Sequence, residues 1–299
     1  MQILDIRVNK DQMETTQHGT VSFPVAVYHS VMARNVLGFV NWHWHEELQF
    51  CVVTKGELVF YVNENQYRLH VGQGLFINSG SLHMVKPVKD PESEYLCIDI
   101  HPRLLSSFPG SILETRYVAP NLRRRKLSEL VLETHTDWQN RILENLYEID
   151  KCYEAKEYGY ELEICSRMMQ VWKDIVIHIS ETTEKNASGI KTRNNAVQDI
   201  LSYISQHYGE TVTLEQISKE LSFSTSECCR MFKKVTGETI FSYLLTYRIV
   251  KATELLRSTE LSISEIAYET GFGSTSYFIE KFKEKTGTTP LQFRKSLEH

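Results

Sequence analysis

The stretch TLEQISKELSFS at residues 213–224 decides how this chain is read, because it returns as SISEIAYETGFGS at 262–274. Each copy runs on to a Phe-Lys-x-x-Thr-Gly close, FKKVTG at 232–237 and FKEKTG at 282–287. A unit repeated in this way is one supersecondary element built twice. Thr213 with Gln216, and Ser262 with Glu265, have the spacing of a capping box, in which two side chains satisfy the free amides at a helix start. Ile217 and Leu221, and Ile266 in the other copy, follow at helical spacing and face inward. Phe223 and Phe272 then plug the space beneath a turn, and Ser224 and Ser274 are placed to cap a second helix. That helix closes near Gly237 or Gly287, where glycine adopts the left-handed cap without steric cost. Each copy is therefore expected to be helix, tight turn, helix.

In such a unit the second helix lies in the major groove of double-stranded DNA and its early residues reach base edges. The expected readers are Thr225, Ser226, Cys229 and Arg230 in the first copy, and Thr275, Ser276, Ile279 and Glu280 in the second. Lys233 and Lys234, then Lys281, Lys283 and Lys285, stand at the far ends, where phosphates lie. A helix from about residue 241 to 257 joins the copies. At 1.5 Å per residue it spans roughly 25 Å, so the two reading helices can sit about 34 Å apart, one turn of DNA. Glu280 occupies the place of Arg230; an acidic group accepts from cytosine but repels phosphate, so the second helix is expected to bind more weakly or to orient the protein. Cys228 and Cys229 point in different directions on a helix, which predicts one buried and one surface thiol rather than a redox pair.

These residues carry a resemblance. The stretch 197–294 resembles the DNA-binding domain of AraC/XylS-type transcription regulators: Ile-Ala-x-x-x-Gly-Phe at 266–272, Ser276-Tyr277-Phe278, the two Phe-Lys-x-x-Thr-Gly pieces, and Thr289-Pro290 ahead of Phe293-Arg294. The resemblance covers about a third of the chain. It implies that both second helices engage DNA, and that the protein meets RNA polymerase as a further partner.

Towards the N-terminus the character changes. From about Val21 to Ile100 short apolar or alternating runs, Leu48 to Val53, Leu58 to Val62, Gly74 to Ile77 and Tyr95 to Ile100, are separated by turn residues, the rhythm of a small antiparallel barrel or jelly roll. Between Leu122 and Ser180 apolar residues recur every three or four places (Ile142, Leu146, Ile149, Tyr153; Ile164, Met168, Trp172, Ile175, Ile179), implying two amphipathic helices. Their stripe can serve a dimer or cover the barrel, and the pattern alone does not separate the two. The polar run ETTEKNASGIKTRNN at 181–195 has no apolar period and reads as a linker. The expected fold class is α+β: a cupin-like β-barrel over 1–120, helices for dimerisation over 121–180, the linker over 181–195, and an all-α double helix-turn-helix over 196–296.

The barrel segment carries GFVNWHWHEELQ at 38–49 and GQGLFINSGSLH at 72–83. His43, His45 and Gln49 differ by even steps, so on one strand they share a face. The two stretches resemble the paired motifs of the cupin barrel, where two His, a Glu and a later His bind metal. Many AraC-type regulators sense ligands with that fold, usually followed by dimerising helices. Here Gln49 stands at the acidic ligand and Asn78 at the usual proline. Losing the carboxylate reduces charge compensation for a divalent cation, although three histidines still suit zinc. His43, His45 and His83 are thus candidates to ligate a metal, to line an effector pocket with Gln49 for a sugar or small acid, or to be satisfied core histidines.

Composition sets outer bounds. A chain of 299 residues, 41% hydrophobic and 24% charged, is long enough for two cores. No apolar run reaches the length of a membrane span, and the start Met1-Gln2-Ile3-Leu4-Asp5 lacks a signal-peptide layout, so a cytoplasmic protein is expected. With a formal net charge of −5, any DNA contact must be made by a local basic face. The six cysteines show no Cys-x-x-Cys spacing and indicate neither a disulfide framework nor a thiolate zinc site. A sequence-specific, effector-controlled regulator, homodimeric and not an enzyme, is the function expected. The alternatives are a metal-dependent cupin enzyme, against which the absent carboxylate at 49 and the appended repeat both count, and a metal or redox sensor coupled to DNA binding.

Overall fold

In the computed structural model, which describes residues 6–9, 12–108, 110–122, 127–183, 193–236 and 238–296, the β segment is a run of short strands. They are β1 (Val25–Val31), β2 (Val40–His43), β3 (Leu48–Lys55), β4 (Glu57–Val62), β5 (Asn65–His70), β6 (Gly74–Ile77), β7 (His83–Pro87), β8 (Glu94–Ile100) and β9 (Glu129–Leu132). One sheet has the order β1-β8-β3-β6-β9, the other β2-β7-β4-β5, with every neighbouring pair antiparallel. Cys51, Val53, Ile77 and Cys97 of the first sheet share a core with Leu58, Phe60, Val62 and Val85 of the second. The expected cupin-like barrel is therefore a jelly roll of two facing sheets, without the continuous ladder that would close it. The chain leaves one sheet after β2 and enters the other at β3, so these consecutive strands do not pair.

The five-stranded sheet is buried on both faces, which is why Leu48–Val53 reads as a nearly continuous apolar run. Leu48, Phe50 and Val52 of β3 and Leu96, Ile98 and Ile100 of β8 point away from the other sheet. Two short helices, α1 (Arg103–Ser106) and α2 (Ala119–Leu122), precede the long α3 (Asp137–Ala155) and α4 (Tyr160–Thr183). Ile142, Leu146 and Ile149 of α3 and Ile164, Met168, Trp172 and Ile175 of α4 join the same core as the outer face of that sheet. The apolar stripe is thus the sheet's covering layer. β9 pairs with β6 in the register Gly74↔Leu132 to Ile77↔Glu129, so the sheet runs past the limit expected at 120. Residues 184–192 of the expected linker lie outside the described residues, and the flanking parts are helical: α4 runs to Thr183 and α5 (Arg193–His207) begins ahead of 195.

The chain divides into two compact units, Met1–Arg7 with Met13–Ile190, and Val8–Gln12 with Lys191–His299. In the second, α6 (Leu214–Leu221) and α7 (Thr225–Thr236) form the first hairpin, and α9 (Ile263–Glu269) and α10 (Thr275–Thr286) the second. α8 (Ile240–Ser258) joins them and α11 (Pro290–Ser296) follows. Both capping boxes form: Thr213 Oγ1 accepts from the Gln216 amide at 3.3 Å and Ser262 Oγ from the Glu265 amide at 3.2 Å. Each first helix stops at a left-handed residue ahead of the plugging phenylalanine, Ser222 (φ 56°) before Phe223 and Gly271 (φ 76°) before Phe272. At Gly271 a Cβ would fall on the carbonyl oxygen of Tyr208 and against the Arg248 guanidinium, so glycine is required there. Gly287 caps α10 in the left-handed region (φ 79°); the matching Gly237 lies outside the described residues. α8 buries Tyr243, Leu244, Tyr247, Ile249 and Leu256, and over its 19 residues it is about 28 Å long.

Candidate nucleic-acid interface and ligand pocket

Among the described residues of α7 the buried positions are Cys228, Met231, Phe232 and Thr236. Ser226, Arg230 and Lys233 are exposed, and Thr225 and Cys229 half-buried, so the expected readers lie off the packed face. Spacings of three and four place 226, 229, 230 and 233 together on one side of a helix. Lys234 falls on α7, but its side chain lies outside the described residues. The helix start is fixed by Ser224, whose Oγ accepts from the Glu227 amide at 3.3 Å while Glu227 Oε2 accepts from the Ser224 amide at 3.0 Å. On α10, capped by Ser274 at the Tyr277 amide, Phe278 and Phe282 are buried. Ser276, Ile279, Glu280 and Lys283 are exposed, Thr275 and Lys281 half-buried.

The second helix differs from expectation in its charge. Lys281 was expected to meet phosphate, but its Nζ donates to Glu284 Oε2 at 2.6 Å and lies 3.4 Å from Glu280 Oε1. Two carboxylates one helical turn apart already compensate this cation. Tyr277, half-exposed beside it, has the Lys281 ammonium over its ring at 5.8 Å and was not among the expected readers.

The N-terminal unit does gather His43, His45 and His83, though not as the even spacing implied. β2 ends at His43, which pairs with His83 at the start of β7. His45 lies in the connection that follows, held where Gly80 N donates to its carbonyl at 2.8 Å, and Gln49 is on β3 of the other sheet. The ring centroids are 4.1 Å apart for His43–His83, 5.0 Å for His45–His83 and 5.7 Å for His43–His45. Gln49 reaches the same cavity but donates its Nε2 to Cys97 Sγ at 3.1 Å.

Three further residues, absent from the expectations, complete the pocket. Met13 bridges to Trp44, and the Glu14 amide donates to the Trp44 carbonyl at 2.8 Å, which lays the segment ahead of β1 across the histidines. Glu14 Oε2 lies 3.4 Å from His18 Nε2 and 3.7 Å from His43 Nε2. His18 Nδ1 is 3.1 Å from Tyr28 Oη and 3.4 Å from Asp99 Oδ2. Glu14 and His18 sit outside any apolar period, so no spacing rule reaches them. Asp99 carried a signal: it is a carboxylate at an interior-facing position of the apolar strand β8.

Hydrogen bonding fixes the proton positions. His43 Nδ1 contacts the Asn41 carbonyl at 2.7 Å and His83 Nδ1 the Ser81 carbonyl at 2.8 Å. A carbonyl only accepts, so Nδ1 carries the proton and Nε2 presents its lone pair to the cavity. Burial holds His43, His45 and His83 below the usual imidazole range, those of His45 and His83 far below, so all three are neutral. His18 differs: burial opposes its charge, but the hydrogen bond to Glu14 and the charge of Asp99 outweigh it and raise it to about 9. Burial raises Asp99 to about 7. Burial opposes the charge of Glu14 as well, but the hydrogen bond from His18 and its positive charge together outweigh it and lower Glu14.

Several buried atoms here have no hydrogen-bond partner: around the cavity, Nε2 of His43 and His83, Oε1 of Glu14 and Oε1 of Gln49, and, on the neighbouring His45, both nitrogens. Each such buried group costs about 1–3 kcal/mol, so their convergence marks a place for a ligand. The cavity measures about 30 Å³. His43, His45 and His83 can each turn a ligating atom to within 4.8 Å of the others, so the residues fit a metal ion. A second cavity of the same unit, about 380 Å³, is lined by Glu46, Ser79, His101, Arg103, Phe108 and Leu122 among others. No helix among the described residues is long and apolar enough to cross a membrane.

Comparison with known proteins gives these parts a family. Residues 217–296 match the helix-turn-helix domain family, and residues 33–170 the AraC-like ligand binding domain. An uncharacterized HTH-type transcriptional regulator of Bacillus subtilis, YdeC, is 35% identical over 96% of this chain and 97% of its own. The transcriptional activator RhaR of Mannheimia succiniciproducens is 24% identical over 84% and 86%, and the melibiose operon regulatory protein of Escherichia coli 22% over 85% and 83%. Among solved structures, the C-terminal domain of the response regulator yesN from Fusobacterium nucleatum is 40% identical, covering 33% of this chain and 98% of that one, with a TM-score of 0.32. With capped, duplicated helix-turn-helix hairpins following a ligand-binding jelly roll, the chain belongs to the AraC-type transcriptional regulators.

Proposed function

We propose that the chain reads DNA through the exposed sides of α7 and α10 and that the buried histidine pocket is where its controlling ligand acts. The observation that carries the first half is the pairing of two capped hairpins whose packed faces are filled by Cys228, Phe232, Phe278 and Phe282, leaving Ser226, Arg230 and Lys233, and Ser276, Ile279, Glu280 and Lys283, turned outward. Thr225 and Cys229, and Thr275 and Lys281, flank them. α7, with Arg230 and Lys233, supplies the stronger contact, because the cation of Lys281 on α10 is already paired. Footprinting of the full chain on its selected site tests this: protection of two major-groove segments about one turn, roughly 10 base pairs, apart is expected. Protection of a single segment, or none with sequence preference, overturns it.

A regulatory rather than an enzymatic role is supported by the helix-turn-helix domain that accompanies the ligand-binding domain, and the 30 Å³ cavity is small for a substrate beside the histidines. The same volume weighs against a sugar or small acid there. A second place for such an effector is the 380 Å³ cavity, where Arg103 and His101 offer polar anchors. A homodimer would use the parts of the covering helices left exposed, Leu162 and Ile177 of α4, because the stripe itself is consumed within one chain. RNA polymerase is the partner through which DNA occupancy would alter transcription.

A further inference from the structure

We propose that Glu14, from the segment ahead of β1, completes a divalent transition-metal site with His43, His45 and His83, supplying the carboxylate that position 49 lacks. This rests on taking the histidine pocket as the controlling site and names its ligand class. The first support is a count of donors and acceptors. Around a 30 Å³ cavity stand the lone pairs of His43 Nε2, His83 Nε2, Glu14 Oε1 and Gln49 Oε1, all without hydrogen-bond partners, and the His45 ring, whose nitrogens are also unpartnered, lies 5.0 Å from that of His83. That volume is the size of a water or two, and a single water donates to only two of these acceptors. A cation satisfies several lone pairs at once.

The second support is orientation. Backbone carbonyls of Asn41 and Ser81 take the Nδ1 protons of His43 and His83, the arrangement that fixes a metal-ligating imidazole. Glu14 Oε2 stands 3.7 Å from His43 Nε2, near the roughly 3.4 Å between two ligands of a tetrahedral ion with 2.0–2.1 Å bonds. His18, between Glu14 Oε2 and Asp99 Oδ2, aims the carboxylate. Three nitrogens and one carboxylate oxygen suit zinc better than magnesium or calcium. Gln49 gives its Nε2 to Cys97 and leaves at the cavity only a neutral amide oxygen, a weaker ligand than the Glu14 carboxylate.

The test uses the full chain, stripped with a chelator and titrated with Co²⁺, then Zn²⁺. One Co²⁺ per chain with visible ligand-field absorption, displaced by Zn²⁺, is expected; Glu14→Gln should weaken uptake at least about tenfold and His83→Gln should remove it. Metal should also shield residues 13–18 from limited proteolysis in the wild type and not in Glu14→Gln. Absence of stoichiometric uptake by the wild type, or full affinity and shielding in Glu14→Gln, overturns the proposal. If Glu14→Gln does not fold, by circular dichroism, shielding of the wild type decides. Stoichiometric uptake with unchanged DNA affinity upholds the site and overturns the histidine pocket as the point of control.

Discussion

Cys228 and Cys229 are neighbours in sequence but lie on different sides of α7: Cys228 is fully buried, and Cys229 is half-buried beside exposed Arg230. Burial also pushes the Cys228 thiol up, which removes thiolate and slows alkylation. Iodoacetamide should therefore label Cys229 and spare Cys228 in the folded protein, and bound operator DNA should slow labelling of Cys229. Cys152 and Cys165, half-buried in the other unit, provide the reference that DNA leaves unchanged. Mass spectrometry of the labelled peptides checks this, and equal labelling of Cys229 with and without DNA would remove it from the interface.

Arg230 and Lys233 are both exposed on α7 but are assigned different tasks. Arg230→Ala should cost about 1–3 kcal/mol on the specific site and relax preference at one base position. Lys233→Ala should weaken all sequences alike and reduce the slope of log affinity against log salt by about 0.9. Binding titrations at several salt concentrations, on specific and scrambled duplexes, separate the two. Equal, sequence-independent losses from both changes sink the assignment.

What could be read ahead of the structure follows the range of the interactions. Thr213 with Gln216 and Ser262 with Glu265 are three residues apart, so their capping boxes are written locally and form as expected. The two-faced burial of Leu48–Val53 is equally legible, because the run lacks polar alternation. His43 and His45 are grouped with Gln49 by a count along one strand, which in fact ends at His43, and His83 joins them through the cupin resemblance; the three histidines converge because the chain crosses between sheets and because β2 pairs with β7. Glu14 and His18 could not be found this way, since their contacts are long-range and carry no periodicity. β9, four residues long amid helical spacing, was hidden for a related reason: its pairing with β6 is a tertiary fact. The pairing of Lys281 is the reverse case, since its partner Glu284 stands only three residues on and the ion pair is a local feature of the sequence.

Gly271 and Ser222 hold the same left-handed place in the two hairpins, at φ 76° and 56°, yet only Gly271 is pressed by backbone, the Tyr208 carbonyl. Arg248 keeps that carbonyl in place, donating Nε to it at 2.8 Å and Nη2 to the Glu210 carbonyl at 2.7 Å. Gly271→Ala should thus cost the C-terminal unit about 1–3 kcal/mol and weaken DNA binding, since the turn that positions α10 must shift. Ser222→Gly should change stability by less than about 1 kcal/mol. Thermal and denaturant melts compare the two; similar small effects would show that the tight approach at Gly271 has no energetic weight.

Trp172 distinguishes the two uses of the apolar stripe on α3 and α4. Its ring is buried and meets Phe76 of β6 with centroids 6.2 Å apart, inside the cluster shared with the five-stranded sheet. Trp172→Ala should cost about 3–5 kcal/mol, lowering Tm by roughly 6–20 °C. Because the lost contacts are within one chain, the loss should not depend on protein concentration. Leu162→Asp, at a position exposed on the same helix, should leave the Tm of the monomeric fold unchanged and dissociate the proposed homodimer in sedimentation. If Trp172→Ala instead produced a stable monomer with an unaltered melt, the stripe would belong to the interface between chains and not to the covering layer.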